Sequence, residues 1–161
     1  MSDCCPDCTD DNVCGNFHVY VIELKRKVLI KEPNFPYEGD TLPKGKRVYY
    51  VGKTQHSIEC RYKQHVSNRK KKSRKGFMCN CFGDEPKKRP FTKFNKPGKY
   101  IKKYHKKGGL RPAVFFHLNP AARIPRKNSQ GMMDELNRKA LDAETDLALT
   151  LRKDGHAVHY N

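Results

Sequence analysis

Three polar side chains between residues 47 and 65 offer groups that can handle a phosphate: a phenol, a guanidinium and an imidazole. Tyr50 follows β-branched and aromatic residues that fit a pleated strand. The strand is expected to break at Gly52, because the missing Cβ allows a sharp turn. Arg61 and His65 are four residues apart and would share one face of the helix predicted next. We therefore expect the three side chains to point into one region.

A helix start and a second strand must position this set. Ser57 is predicted to cap the helix, and Ile58 to face the core. Residues 16–24 form the second predicted strand, with Tyr20 at its centre. Residues 31–45, between the two strands, are rich in proline and glycine and predict a long loop, either DNA-contacting or a plain surface excursion.

At these positions the chain resembles the GIY-YIG nuclease family. The resemblance covers residues 16–161 and implies an α/β fold of the α+β type, with a small three-stranded mixed or antiparallel sheet flanked by helices. The first half-motif has histidine and valine before its tyrosine, a departure that keeps the tyrosine in place. The matched positions are His18, Val19 and Tyr20, then Tyr50, Val51 and Gly52, then Arg61, His65 and Glu144, and the closing His159, Tyr160 and Asn161.

The resemblance implies metal-dependent hydrolysis of DNA, with one Mg²⁺ or Mn²⁺ held by Glu144. Arg61 would clamp the scissile phosphate, and His65 would position or relay a proton. Asn161 would orient the metal shell or Glu144. A single carboxylate favours one metal ion rather than two.

The resemblance also assigns roles to the tyrosines. Tyr20 would act as general base or orient the attacking water, and Tyr50 would hydrogen-bond the same water or the phosphate. An unperturbed phenol has a pKa of about 10, so a basic role needs positive charge from Arg61, Lys53 or the metal. Tyr49 is expected on the opposite face from Tyr50, because side chains alternate along a strand.

Glu144 is also a candidate on physical grounds alone. Between residues 129 and 153, apolar residues recur at helical spacing, and Glu144 fills the one slot of that stripe that is not apolar. A carboxylate facing the core is costly unless it is paired or binds a cation, so metal ligation and a salt bridge to Arg61 are compatible alternatives. The stripe consists of Met133, Leu136, Ala140, Leu147 and Leu151, widened by Leu141 and Ala148, whereas Asp134, Glu135, Asp142 and Asp146 are predicted to face solvent.

The remaining elements follow from shorter patterns. Residues 99–107 predict a short helix ended by Gly108 and Gly109, with Tyr100, Ile101 and Tyr104 inward; the tyrosines are core anchors or base-stacking groups. Residues 111–118 predict the third strand, in which His117 is structural, and residues 119–128 a linker. Gly155 is predicted to end the last helix, before residues 156–161 run back along the core.

The charge is concentrated in one insert. The chain carries a net charge of +17, and residues 66–107 hold 16 lysines or arginines against two acids, a balance of +14. Such clustering indicates a polyanion partner. The alternative is a solvated, flexible charge run that aids solubility. The first part of the insert shows no regular period and is predicted to be a loop. The predicted nucleic-acid contacts are Lys53, Arg69, Lys70, Lys71, Lys72, Arg74, Lys75, Lys87, Lys88 and Arg89.

A membrane partner is not expected. The basic run at residues 69–75 has no bulky apolar side chains opposite it. No apolar stretch approaches the roughly 20 residues that span a bilayer, so we expect a soluble intracellular protein, cytoplasmic or, in a eukaryote, nuclear.

Residues 1–15 form a cysteine-rich segment in front of the domain at residues 16–161. Two of its cysteines have the C-x-x-C spacing that can aim two thiolates at a structural Zn²⁺. Free thiols, a disulfide and a disordered leader are the alternatives. The candidate ligands are Cys4, Cys5, Cys8 and Cys14, with Cys79 and Cys81 from the insert.

Together these features predict a compact DNA endonuclease, restriction-like or of a phage or mobile-element type, which would dimerise on DNA if restriction-like. One alternative is a catalytically weak or inactive nucleic-acid-binding protein on the same scaffold. Another is a zinc-stabilised RNA-binding protein whose tyrosines are core residues. That last alternative leaves Glu144 unexplained.

Overall fold

The computed structural model describes residues 15–55, 57–66, 77–79, 87–89 and 100–160, together with Pro6. These residues form an α+β fold, in which helices flank a four-stranded mixed sheet and a second sheet has two short strands. The elements are β1 (His18–Leu24), α1 (Val28–Lys31), β2 (Val48–Thr54), α2 (Ile58–Val66), β3 (Phe77–Cys79), β4 (Lys87–Arg89), α3 (Ile101–Tyr104), β5 (His105–Leu110), α4 (Pro112–Phe115), a 3-10 helix (Phe116–Leu118), α5 (Gln130–Lys153) and β6 (Ala157–Tyr160).

The main sheet has the strand order β5-β1-β2-β6. β1 and β2 pair antiparallel, with Tyr20 opposite Gly52 and Ile22 opposite Tyr50. β5 pairs antiparallel with the other side of β1, and β6 runs parallel to β2. The predicted three-stranded sheet was therefore one strand short, because the segment after α5 joins the sheet as β6.

The predicted third strand at residues 111–118 was wrong. These residues form α4 and the 3-10 helix, with Pro112 at the first helical position, where its missing N–H costs nothing. A short apolar run cannot by itself distinguish a strand from a buried helix. His117 is exposed, so it is not the packed structural histidine that we expected.

The strand at this edge comes instead from the lysine- and glycine-rich β5. The predicted helix at residues 99–107 is helical only over Ile101–Tyr104, and Gly108 and Gly109 lie in β5 instead of ending the helix. An edge strand tolerates such residues, because one side of it has no partner strand and charged side chains can remain in water. Tyr100, Ile101 and Tyr104 are buried, as predicted, which favours their role as core anchors.

The insert also differs from the prediction. Its first part was predicted to be irregular, but β3 and β4 pair antiparallel within it. Strands of three residues are too short to show a period of two in the sequence.

The long loop and the last helix agree with the sequence. The residues between α1 and β2 have no regular secondary structure, but Phe35 and Leu42 are buried and Arg26 donates to the carbonyls of Leu42 and Lys46. The loop is therefore packed against the domain.

Helix α5 begins after Ser129, whose hydroxyl accepts from the backbone N–H of Met132 at 3.2 Å. It ends before Gly155, which has a φ of +96°. Leu141 is 39% exposed, so it does not widen the buried stripe, whereas Ala148 is buried as predicted. The four acids predicted to face solvent are exposed. Among the described residues, no helix combines the length and the apolar character needed to cross a membrane.

Candidate active site

The phenol of Tyr20 is the centre of the candidate site. Its Oη lies 2.7 Å from Nε2 of His65 and accepts a hydrogen bond from Nε of Arg61 at 3.2 Å. The ring of Tyr50 packs beside both, with centroids 6.1 Å from Tyr20 and 5.4 Å from His65. The structure thus brings together the phenols, the guanidinium and the imidazole that the sequence placed in one region.

Helix α2 supplies two of these groups through local features of its sequence. The hydroxyl of Ser57 accepts from the backbone N–H of Cys60 at 3.0 Å, and this cap fixes where the helix begins. Ile58 is buried, as predicted, and sets the rotation of the helix. The spacing of four residues then directs Arg61 and His65 to the same side, where Arg61 is half-buried and His65 is fully buried.

Gly52 has a different role from the one predicted. β2 continues through it to Thr54, so the chain does not turn there. A Cβ at Gly52 would lie 2.5 Å from Oη and 2.6 Å from Cζ of Tyr20, the residue directly opposite on β1. The glycine therefore leaves the space that the Tyr20 ring occupies.

Burial decides the protonation of the central pair. It raises the pKa of Tyr20 well above the ordinary value, with help from Tyr50 and Glu144, and these effects outweigh the lowering by Arg61. Burial, followed by the nearby charge of Arg61, lowers the pKa of His65 to about 2. Both groups are neutral at neutral pH.

Glu144 lies in the buried stripe of α5 and is 1% exposed. It is close enough to Tyr20 for its charge to affect the pKa of the phenol. No group of three or more histidine, cysteine, aspartate or glutamate side chains that could hold a metal was found within the described residues. One carboxylate suits a hard cation such as Mg²⁺, which keeps several water ligands, rather than a cage built by the protein.

Other predicted residues lie elsewhere or outside the described part. Lys53 is opposite Val19, on the other face of the sheet from Tyr20, and its Nζ donates to Oδ1 of Asn137 at 2.8 Å. Tyr49 also faces away from Tyr50, as predicted, and packs on His156 with centroids 4.9 Å apart.

Asn161 lies outside the described residues, as do Cys4, Cys5, Cys8, Cys14, Cys81, Arg69, Lys70, Lys71, Lys72, Arg74 and Lys75. Cys79 is described only as backbone in β3, and Lys87, Lys88 and Arg89 only as backbone in β4. The predictions of a zinc site and of nucleic-acid contacts by these side chains stay predictions.

His159 belongs to the closing H-Y-N that matches the family pattern, but the sequence assigned it no role of its own. It lies opposite Tyr50 in the β2–β6 register, and its ring packs on Tyr50 at 5.7 Å, on Tyr100 at 5.0 Å and on Phe35 at 6.0 Å between centroids. Alternation in the segment after Gly155 would have identified it, had that segment been recognised as a strand.

Comparison of the chain with protein families, with curated proteins and with solved structures found no match.

Proposed function

We propose that this chain is a metal-dependent endonuclease that hydrolyses DNA phosphodiester bonds, of the GIY-YIG type that its motifs resemble. The observation that carries the proposal is the contact of Tyr20 Oη with both Arg61 and His65, at 3.2 and 2.7 Å, in the electrostatic range of Glu144. Packing alone does not call for a guanidinium, an imidazole and a carboxylate around one buried phenol. Perturbed ionisable groups that cluster in this way are typical of catalytic sites.

Arg61 binds the scissile phosphate in this proposal. It is half-buried, whereas Tyr20, His65 and Glu144 are each at most 1% exposed, so it is the member that a substrate meets first. Its Nε is held by Tyr20, which restrains the plane of the guanidinium. A restrained guanidinium offers two parallel donors to phosphoryl oxygens and stabilises the charge that develops on them.

Tyr20 acts as a neutral phenol that orients the attacking water. Its raised pKa keeps the proton on Oη at neutral pH, which disfavours a role as general base. Arg61 donates to Oη, so the phenol proton is directed to Nε2 of the neutral His65. The second lone pair of Oη can then accept a hydrogen bond from the attacking water.

Glu144 would hold the Mg²⁺ or Mn²⁺ ion, with water and phosphate oxygens as the other ligands. Such an ion, when bound, neutralises phosphoryl charge and lowers the pKa of a coordinated water. Tyr50, packed between His65 and His159, would hydrogen-bond the phosphate or the water, and Asn161 would orient Glu144 or the metal shell.

The burial of the site favours one second candidate. Because Tyr20, His65 and Glu144 are almost inaccessible, the same scaffold also suits a nucleic-acid-binding protein without cleavage, in which the tyrosines are core residues. The two candidates differ in whether phosphodiester bonds break.

The test is cleavage of supercoiled plasmid with Mg²⁺ or with EDTA, by the wild-type protein and by Glu144→Gln. The matched control is Glu135→Gln, which removes an exposed carboxylate from the same helix. We expect metal-dependent cutting by the wild type and by the control. The cleavage rate of Glu144→Gln should be lower by at least about 100-fold. Discrete products would indicate a restriction-like enzyme. If all three proteins bind and shift the DNA in a gel but none of them cuts it, the nucleic-acid-binding protein is supported instead.

A further inference from the structure

A second charged group lies on the face of the sheet opposite Tyr20. Glu23 of β1 is opposite Tyr49 and is 1% exposed. Its carboxylate accepts from Nη1 of Arg47 at 2.8 Å, from Nζ of Lys106 at 3.3 Å and from Nε of Arg111 at 3.1 Å. These four residues are called the Glu23 cluster below.

Glu23 is charged at neutral pH. Burial alone would raise its pKa, but the hydrogen bonds from Arg47, Arg111 and Lys106 outweigh this effect and lower the pKa below the usual value. Three cations around one carboxylate leave the cluster with a net charge of +2. One positive charge balances the carboxylate and the other donors satisfy its remaining lone pairs, so the cluster carries two positive charges in excess.

The three cations are not equivalent. Arg111 is committed to the fold, because it also donates through Nη1 to the carbonyls of Gly108 and Leu110. Arg47 and Lys106 have side chains that are 52% and 39% exposed. Each is anchored on Glu23 and open to solvent, so less side-chain entropy is lost when an external anion binds.

The cluster is also connected to the candidate site. Tyr62, the residue after Arg61, donates through its hydroxyl to the carbonyl of Lys106 at 3.4 Å and accepts from the N–H of Gly109 at 3.3 Å. Glu23 is three residues from Tyr20 along β1, about 10 Å. Lys106 lies on β5, which contacts α2, the helix that carries Arg61.

We propose that Arg47 and Lys106, anchored on Glu23, bind a backbone phosphate of duplex DNA other than the one that is cut. This inference rests on the proposed function, which makes duplex DNA the substrate. A lipid surface is the other polyanion that these cations could meet, and the vesicle measurement below distinguishes it from the duplex.

The test measures binding of a fluorescent DNA duplex in EDTA at several salt concentrations, so that it does not depend on cleavage. The variant is Arg47→Gln with Lys106→Gln, which leaves Arg111 on Glu23. The matched control is Lys31→Gln with Lys153→Gln, which removes the same charge from exposed positions at the last turns of α1 and α5. Thermal unfolding checks the fold of both.

We expect the variant to lower the slope of log affinity against log salt by about 1, because the single phosphate contact contributes about 0.9. The control should keep the wild-type slope within about 0.3. Equal losses in the two double variants, or no loss in either, would overturn the proposal. So would a variant that loses binding to vesicles of anionic lipid but not to the duplex.

Two further arms complete the design. If the double variant does not fold, Lys106→Gln alone retains both arginine contacts to Glu23 and should give about half the change in slope. A chain that never cuts DNA with Mg²⁺ but shows the expected slopes would lack the proposed activity and still have this phosphate contact.

Discussion

At the scale of single residues, the site is defined by burial. Tyr20 and His65 share a 2.7 Å hydrogen bond, and each is kept neutral mainly because its charged form would lose hydration. The free energy of unfolding should therefore depend on pH, because the same groups are hydrated and titrate normally in the unfolded chain.

His65 predicts that stability falls in mild acid. Below about pH 6.5 the unfolded chain binds a proton at this residue, whereas the native chain does not until its pKa of about 2. The unfolded state therefore gains protons first, and the free energy of unfolding falls by about 1.4 kcal/mol per pH unit below 6.5 from this residue alone. Urea unfolding of the wild type and of His65→Gln at pH 7.0, 5.5 and 4.5 measures the difference.

The comparison of the two proteins isolates His65, because all other titrating groups are common to both. We expect the stability advantage of the wild type over His65→Gln to shrink as the pH falls. An advantage that stays constant between pH 7.0 and 4.5 would mean that His65 is protonated in the native state.

The second prediction concerns Gly52, where a side chain would be excluded by steric contact and not by the backbone conformation. In Gly52→Ala the new Cβ would lie 2.5 Å from Oη and 2.6 Å from Cζ of Tyr20, so the phenol must shift relative to Arg61 and His65. We expect a loss of about 1 to 3 kcal/mol in unfolding free energy and a fall in cleavage rate of about 10- to 100-fold.

The matched control for Gly52→Ala is Gly131→Ala, where a Cβ meets nothing within 4 Å and helix α5 favours alanine. The control should be neutral or slightly more stable. If Gly52→Ala has the stability and the cleavage rate of the wild type, the Tyr20 ring can shift without cost and the prediction is wrong.

At the scale of elements, a run of aromatic rings connects the loop before β2 with the site. Phe35 packs on Tyr100 at 5.1 Å between centroids, both contact His159, and His159 contacts Tyr50. The position of Tyr50 thus depends on β6, on the loop and on the N-terminal end of α3.

This run predicts that His159 positions Tyr50 by the size of its ring. In His159→Ala, Tyr50 loses one of its neighbours, and we expect the single-turnover cleavage rate to fall about 10-fold, since small displacements of catalytic groups are costly. His159→Phe keeps a ring and should retain most of the rate. A similar fall in both variants would instead indicate that the imidazole itself takes part.

The elements that could be predicted from the sequence are those with a long or sharply bounded pattern. α5 has seven turns of amphipathic spacing, a cap at Ser129 and a stop at Gly155, so its limits and the burial of Glu144 followed directly. The strand with Tyr20 and the helix with Arg61 were predicted for similar reasons.

The errors arose where tertiary contacts override local pattern. β5 carries lysines and glycines that are unusual in a strand, and it is held in the sheet by β1 and by Arg111 on Glu23. The role of Gly52 depends on the ring across the sheet, which no local pattern encodes. Glu23 was overlooked, although a glutamate within an apolar strand indicates a buried ion pair.

At the scale of the whole molecule, charge is the dominant property. A net charge of +17 favours any polyanion, and most of the excess lies in residues 66–107. The basic run at residues 69–75 either contacts phosphates or is a solvated segment that aids solubility. The two alternatives differ in the number of counterions released on binding, which the salt dependence of the affinity measures.

Replacing the run by glutamine therefore gives the decisive prediction. The wild type, if it makes about six phosphate contacts through these side chains, should lose about 1,000-fold in duplex affinity between 50 and 200 mM salt. The variant with Arg69, Lys70, Lys71, Lys72, Arg74 and Lys75 changed to glutamine should show a slope of log affinity against log salt that is smaller by about 5. A slope reduced by less than about 1 would mean that these charges remain solvated in the complex. The candidate site and the Glu23 cluster would then supply the contacts to DNA.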